Sequence, residues 1–228
     1  MTPDDFSRPA LEVAPMLLGA LLTVDAPEGA VSLRVTEVEA YHGVGSPGPP
    51  DLGSHARNGK TDRNASMFGP PGHAYVYFSY GMHFAINVVC SPEGTASGVL
   101  LRAGEVRAGA DLARRRRSAR RPESTLQPQQ LAQGPGNVAQ ALGIRREVHD
   151  GHSLFAAPFS LVLPESLAPR IAHGPRVGVA GAAGGPEFPW RFWIPDDPTV
   201  SAFRAGRGAP RPEVVGHPFD PQTRWPFA

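Results

Sequence analysis

The clearest alternation of apolar and polar residues runs through residues 31–41. Val31, Leu33 and Val35 are separated by polar side chains, which predicts a half-buried β-strand, because successive side chains of a strand point to opposite faces. In the same register the apolar face is continued by three residues of a different kind: Glu37, Glu39 and Tyr41. An inward-facing stripe that ends in carboxylates and an aromatic ring indicates a pocket at the end of this strand.

A second apolar segment, residues 74–89, predicts two strands joined by a tight turn at Gly81. Three of the chain's 4 tyrosines lie in this segment, and the fourth is Tyr41. Tyr80 and Met82 come at or near the tip of the hairpin. An exposed side chain at such a tip suits a wedge that enters stacked bases and fills the space of an extruded nucleotide. The alternative is a hairpin that packs into the core.

The rest of the chain predicts short elements separated by glycine and proline. Helices are expected at 11–22, 105–117 and 138–142, and strands at 98–103, 160–163, 176–180 and 191–194. Residues 42–73 are rich in Gly, Pro, Ser and Asn, which predicts a long loop, and long ordered loops are often functional.

Composition limits the class of protein. A chain of 228 residues with 41% hydrophobic content fits one globular domain. No stretch reaches the roughly 18 apolar residues that span a bilayer, and the apolar stretch 14–24 lacks the basic flank of a signal peptide, so we expect a cytosolic protein. The single cysteine, Cys90, excludes an internal disulfide and a multi-cysteine metal site. The net charge of +1 gives no argument for nucleic acid from the bulk field.

The basic residues are almost all arginine, since Lys60 is the only lysine among the 22 lysine and arginine residues. A Schiff-base mechanism would therefore need Lys60 or the N-terminal amine. The arginine-rich segment 114–121 either follows the phosphates of a nucleic acid or forms a solvated helix end. The sequence does not decide between these two interpretations.

Several polar residues are candidates for chemistry, and each has an ordinary alternative. Glu39 beside an aromatic ring suits a general base that positions water. A strand-end glutamate is more often only salt-bridged, however, and Glu37 competes for the role. His55 lies in the long loop, where a histidine is usually an ordinary surface or core residue. Asn87 and Arg102 end apolar strands, where a hydrogen bond at a sheet edge explains them equally well.

Taken in order, these residues resemble the alkyladenine DNA glycosylase family, also called the 3-methyladenine or N-methylpurine DNA glycosylases. The likeness runs from about Asp5 to Val200, which is nearly the whole chain. The matching strings are TEVEAY at 36–41, HARNGKTDRN at 55–64, MFGPPGHAYVYFSYGMHFAIN at 67–87, GVLLRAGE at 98–105, GPGNVAQALGI at 134–144 and PRVGV at 175–179.

The resemblance implies an α+β fold: a single mixed domain with a curved antiparallel β-sheet, flanking helices and a β-hairpin that protrudes into the DNA minor groove. This domain would cover residues 1–200, and residues 201–228 would form an irregular C-terminal extension. The implied activity is that of a monofunctional glycosylase. It flips alkylated or deaminated purines out of double-stranded DNA and hydrolyses the N-glycosidic bond, leaving an abasic site for base excision repair. No metal or other cofactor is expected, and we expect a monomer in the cytoplasm, associated with the nucleoid and not with a membrane.

The resemblance also implies roles at the reacting bond. Glu39 would activate the attacking water, and Arg102 would hold this carboxylate and its water. The flipped base would be contacted by Tyr41, His55, Tyr77 and Asn87. Among these, Asn87 would crowd the 2-amino group of normal guanine.

Outside the base pocket, Tyr80 would occupy the vacated stack, with Met82 at the same wedge. Contacts to the DNA backbone would fall to Lys60 and Arg63. The loop over 55–64 is one residue shorter than in some relatives, which leaves the contact of Lys60 open.

Two other classes of function compete with this interpretation. A hydrolase of free nucleosides would use the same carboxylate and rings, but it would not need a protruding hairpin. A non-catalytic binder of damaged DNA would not need Glu39. The sequence assigns no lesion range among 3-methyladenine, 7-methylguanine, hypoxanthine and etheno-adenine, and it gives no role to the arginine run or to Cys90.

Overall fold

The computed structural model describes residues 2–46, 48–79, 81–119 and 125–223. Tyr80, Arg120 and Arg121 lie outside these ranges. The described α-helices are α1 (Ala10–Met16), α2 (Ala110–Ser118), α3 (Pro135–Leu142) and α4 (Arg146–His149). The described strands are β1 (Leu21–Val24), β2 (Val31–His42), β3 (Ala74–Ser79), β4 (His83–Val89), β5 (Ser97–Ala108), β6 (Phe159–Val162), β7 (Ala172–Gly174), β8 (Arg191–Trp193) and β9 (His217–Pro218).

All paired strands of the described sheet are antiparallel, in the order β3-β4-β5-β2-β8-β7-β9. Strand β5 pairs with one edge of β2 along nearly its whole length. The other edge of β2 is shared, because β1 pairs with its first half and β8 with its second half, and β6 extends the sheet from β1. This mixed single-domain architecture confirms the expected α+β class.

The two faces of the sheet are covered differently. One face packs against α1 and α3 and forms the main hydrophobic core, with Val76, Ile86 and Leu101 among its buried side chains. The opposite face, which we call the cleft face, carries a smaller apolar cluster beneath the loop between β2 and β3. Tyr75 belongs to that smaller cluster and Tyr77 packs against it.

Strand β2 changes phase in its middle. Thr36 is an extra residue on β2 and Arg102 is an extra residue on β5, so that two bulges interrupt the pairing and then restore its register. A bulge moves the following side chains to the other face of the strand. The main core therefore continues with Val38 and Ala40.

The expectation that Glu37, Glu39 and Tyr41 continue the apolar face of β2 is therefore wrong. The bulge at Thr36 turns these three side chains to the cleft face, opposite the main core. The sequence does carry a trace of this change, because its apolar positions slip by one residue, from odd numbers up to Val35 to even numbers at Val38 and Ala40.

Three other elements differ from expectation. Strand β5 runs to Ala108 because the first half of β2 also needs a partner, so the helix expected from residue 105 begins only at Ala110. The helix expected at 11–22 ends at Met16, and its last residues form β1. Residues 176–180 are not a strand, because Gly178 has φ +73°. The hairpin, the third helix and the strands near 160 and 191 are confirmed.

The segment after residue 200 stays close to the sheet. Its described part has one short strand, β9, which pairs with β7. The domain boundary at residue 200 remains a prediction. Within the described ranges, no helix combines the length and the apolar character needed to cross a bilayer.

Strand β5 approaches β2 so closely at Gly104, beside the bulges, that an added methyl group would clash. A Cβ at Gly104 would lie 2.6 Å from the carbonyl oxygen of Arg34. We expect Gly104→Ala to lower the free energy of unfolding by about 1–3 kcal/mol, because a paired backbone cannot move aside. Gly98→Ala on the same strand is the control, since its nearest atom would be at 3.5 Å. Urea unfolding would contradict this account if both variants lost the same stability.

Candidate active site

A cleft of about 790 Å³ opens on the cleft face of the sheet. Its floor is formed by side chains of the central strands, and its walls by residues 52–57 and 177–180. Phe78, Ser79 and Gly81 of the hairpin stand at its rim. The predicted site residues that line it are Glu39, Tyr41, His55, Arg63, Tyr77, Asn87 and Arg102.

Glu39 is fully buried within the protein, yet it lines the cleft. Its Oε1 accepts the backbone N–H of Val177 at 2.7 Å, and its Oε2 accepts the hydroxyl of Tyr41 at 2.8 Å. Arg102 Nη1 lies 3.6 Å from Oε1. Because each carboxylate oxygen has two acceptor sites, Glu39 keeps the capacity to accept a hydrogen bond from water in the cleft.

Glu37 is held by two arginines and by Ser201. Its Oε1 accepts the Nε–H of Arg191 at 2.6 Å and the hydroxyl of Ser201 at 3.0 Å, and its Oε2 accepts the backbone N–H of Ser201 at 2.7 Å. Arg102 Nε lies 3.1 Å from the same Oε1. Unlike Glu39, Glu37 does not line the cleft, so the geometry favours Glu39 over Glu37 as a base for water in the cleft.

Arg102 joins the two carboxylates. Its Nε donates to Ser201 Oγ at 3.1 Å beside Glu37, and its Nη1 reaches toward Glu39. Burial lowers the pKa of Arg102, but Glu39 and Glu37 outweigh this effect, and the net pKa is raised. The structure thus brings together the predicted pair of Glu39 and Arg102, with Arg102 permanently charged.

Arg176, for which the sequence predicts no role, is fully buried behind the cleft. Its two Nη atoms donate to both carboxylate oxygens of Asp51, at 2.8 and 2.7 Å. The guanidinium lies 4.5 Å from the ring centre of Tyr41 and 4.9 Å from that of Trp190. Arg176 therefore supports the Tyr41 ring and fixes the neighbouring Val177, whose N–H binds Glu39. The sequence carries one hint of this burial, because Arg176 stands beside apolar residues in PRVGV. Its acidic partner, Asp51, is far away in the chain.

Tyr41 is a neutral hydrogen-bond donor. Burial raises its pKa well above the ordinary value, and the neighbouring charge of Glu39 raises it further. The phenol consequently keeps its proton and donates a hydrogen bond to Glu39. This hydrogen bond fixes both the ring and the carboxylate.

His55 and two tyrosines form an aromatic group at the cleft wall. His55 Nδ1 lies 3.0 Å from the hydroxyl of Tyr75, and its ring stands edge-on to that of Tyr77, with centroids 4.4 Å apart. Burial lowers the pKa of His55 from 6.5 to about 4, and the positive charges of Arg63 and Arg57 lower it further. Burial also raises the pKa of Tyr75, so this group is uncharged near neutral pH.

The remaining predicted residues lie at the cleft or around it. Asn87 is buried, and its Nδ2 donates to the Tyr75 carbonyl at 3.0 Å. Met82 is 54% exposed beside the hairpin turn. Lys60 is exposed, with Nζ 5.9 Å from the Phe68 ring centre, and does not line the cleft. Arg57, which is not among the predicted site residues, stands on the cleft wall with Arg63.

The described part of the arginine run binds neighbouring structure. Arg116 Nη1 donates to the carbonyl of Ala141 at 3.1 Å, and its Nη2 donates to Glu28 at 2.7 Å. Arg117 donates to the side chain of Gln140 at 2.7 Å. These contacts hold α2 against the C-terminal end of α3, where positive charge is favourable.

No metal site is evident among the described residues, since no group of three or more His, Cys, Asp or Glu side chains is placed to hold an ion. Cys90 is buried, and burial raises the pKa of its thiol. Its thiol contacts the carbonyl of Val88 at 3.4 Å, so it acts as a core side chain.

Comparison with known proteins gives one consistent result. The family model described as methylpurine-DNA glycosylase matches residues 4–198. Similar proteins from Leifsonia xyli subsp. xyli, Streptomyces avermitilis and Corynebacterium glutamicum (strain R) are named as candidate 3-methyladenine DNA glycosylases. The first is 52% identical, over 88% of this chain and 91% of its own length. The second is 50% identical over 90% of this chain and 92% of its own length. The third is 50% identical over 89% of this chain and 87% of its own length.

The different surroundings of the two glutamates predict different effects on stability. We expect Glu37→Gln to lower the free energy of unfolding by about 3–5 kcal/mol, because it leaves buried arginines without their carboxylate. Glu39→Gln on the same strand face is the matched control and should cost roughly 1 kcal/mol, since Arg102 keeps Glu37 as its partner. Denaturant unfolding of both variants measures the difference. A larger loss for Glu39→Gln would contradict the assignment.

The lowered pKa of His55 predicts a dependence of stability on pH. Below pH 6.5 the unfolded chain takes up a proton at His55, but the folded protein does not until about pH 4. The free energy of unfolding should therefore fall across this window as the pH is lowered. His42, whose pKa is also lowered to about 4 by burial, contributes with the same sign, so the test is the difference between the wild type and His55→Gln. Parallel pH profiles for the two proteins would refute the assignment.

Proposed function

This chain belongs to the methylpurine-DNA glycosylase family, and we propose that it removes alkylated purines from double-stranded DNA with Glu39 as the base that activates water. The family confirms the expected class of activity: a DNA glycosylase, which hydrolyses N-glycosyl bonds in base excision repair. The residue roles below are part of the proposal.

The observation that carries the proposal is the surroundings of Glu39. It is a buried carboxylate with acceptor capacity left, it faces a cleft, and it is held in place from three sides. A base that is fixed before substrate arrives needs little rearrangement during the reaction. Glu37, which is equally buried, does not line the cleft.

The cleft walls suit a flat ring. Tyr41, Tyr77 and His55 line it with aromatic faces and edges that carry no charge near neutral pH. Stacking of a base on an aromatic side chain contributes about 1–3 kcal/mol, which offsets part of the cost of extruding the nucleotide. Asn87 would exclude normal guanine by crowding its 2-amino group.

The proposed reaction needs one proton acceptor. Glu39 takes a proton from water while the water oxygen bonds to C1′ of the sugar, and the electron pair of the breaking N-glycosidic bond goes to the departing base. An alkylated, cationic purine becomes neutral as it leaves, so it needs no acid. The negative charge of Glu39 also stabilises the positive charge that develops on the sugar, and Arg102 keeps the carboxylate oriented.

The proposal extends to the partner and the surroundings. Met82 and Tyr80 would fill the stack that the flipped nucleotide vacates, and Lys60 and Arg63 would contact the DNA backbone. We infer a monomer in the cytoplasm, associated with the nucleoid. The exposed hairpin at the cleft rim favours duplex DNA over a free nucleoside, because a small substrate gains nothing from a wedge.

The central test separates binding from chemistry. We expect Glu39→Gln to bind a duplex with a tetrahydrofuran abasic-site analogue as tightly as the wild type. Release of methylated purines from alkylated duplex should slow at least about 100-fold, since a positioned base contributes this much or more. Binding is measured by fluorescence anisotropy and release by chromatography of the freed bases.

Glu105→Gln serves as the control, because Glu105 pairs with Arg34 on the neighbouring strand and does not line the cleft. Unchanged base release in Glu39→Gln would remove Glu39 from the mechanism. Release from methylated free nucleosides at the rate seen with duplex would instead favour the nucleoside hydrolase.

A further inference from the structure

The residues that follow the family match pack against the loop that forms one wall of the cleft. The family model ends at residue 198, and residues 201–208 continue along the loop that supplies Val177 to Glu39. The carbonyl of Arg204 accepts the N–H of Gly178 at 2.8 Å, and the carbonyl of Arg207 accepts the N–H of Gly181 at 3.0 Å. We call residues 201–208 the C-terminal strap.

The strap is packed closely against this loop. A Cβ at Gly206 would lie 2.0 Å from the carbonyl oxygen of Val179, so the two backbones are in direct contact. At the start of the strap, Ser201 binds Glu37 through both its backbone N–H and its hydroxyl. The strap is therefore anchored at the buried charges and then runs outward beside residues 177–180, which line the cleft.

The side chains of Arg204 and Arg207 are exposed, although their backbones are fixed. No acidic residue stands between Asp197 and Glu213 in the sequence. In the part of the chain that the structure describes, neither arginine forms an ion pair. Fixed backbones that display unpaired guanidinium groups beside a cleft form a site for anions.

The position of these arginines complements that of the basic residues already noted. Arg57 and Arg63 line the cleft from the loop between β2 and β3, and the strap adjoins the 177–180 wall. Positive charge thus stands on one wall of the cleft and on the strap that packs against another, in a protein whose formal net charge is only +1. A duplex with one nucleotide in the cleft would present backbone phosphates to both.

We propose that Arg204 and Arg207 bind phosphates of the substrate DNA backbone, so that the C-terminal strap is a DNA-contact surface. This inference rests on the proposed function, because it takes duplex DNA as the ligand. Guanidinium groups suit phosphate oxygens through charge and paired N–H donors. Neutralisation of each phosphate releases counterions, which makes the affinity depend on salt.

The test is the salt dependence of binding to duplex that contains one tetrahydrofuran abasic-site analogue. We expect Arg204→Ala/Arg207→Ala to make the slope of log K against log salt less steep by about 1.8, because each lost phosphate contact contributes roughly 0.9. Both substitutions keep the backbone carbonyls that hold the loop, and the thermal midpoint verifies folding. Arg204→Glu/Arg207→Glu should weaken binding at low salt still further.

The control, Arg107→Ala/Arg170→Ala, removes the same charge from exposed arginines that already pair with Glu105 and Asp196. Its slope should equal that of the wild type. If the strap variant also keeps the wild-type slope, while the wild type releases methylated purines, the phosphate contact is wrong and the glycosylase function stands. If the wild type neither releases bases nor binds with a salt-dependent affinity, the proposed function fails and this inference fails with it.

Discussion

Two carboxylates buried on one face of a central strand determine how the rest of the site is built. Glu37 and Glu39 have no exposed surface, and such charges are stable inside a protein only when opposite charges and hydrogen bonds compensate them. Arg191 and Arg102 compensate Glu37, and Arg102, Tyr41 and a backbone N–H compensate Glu39. Glu37 is enclosed by its partners away from the cleft, whereas Glu39 lines the cleft, which separates a supporting carboxylate from a reactive one.

The local pattern of the sequence predicted most of the elements, but it did not predict all of their bounds or the direction in which their side chains point. Alternation predicted β2, and the turn at Gly81 predicted the hairpin, because both depend on neighbouring residues. The bulge at Thr36 was missed because an extra residue in one strand is defined only by the partner strand. The same holds for the helix expected from residue 105, where pairing with β2 overrides the local helical preference.

The candidate site could be predicted only in part, because some of its contacts join residues that are far apart in the chain. The resemblance supplied Glu39, Arg102 and the aromatic residues, and the structure brings them into one cleft. It did not supply Arg176 or Ser201, whose partners Asp51 and Glu37 are 125 and 164 positions away in the chain. Contacts over such distances leave no periodic pattern. These residues do not face the substrate, but they fix the groups that do, which is how a site acquires its geometry before the ligand binds.

The most direct measurement is a crystal structure of the protein bound to duplex DNA that carries a pyrrolidine abasic-site analogue, whose positive charge imitates that of the reacting sugar. The account predicts an ordered water within about 3 Å of Glu39 and facing the sugar ring, while Glu37 keeps its contacts with Arg191 and Ser201. A complex in which Glu39 is turned away from the sugar, or in which Glu37 holds the water, would contradict it.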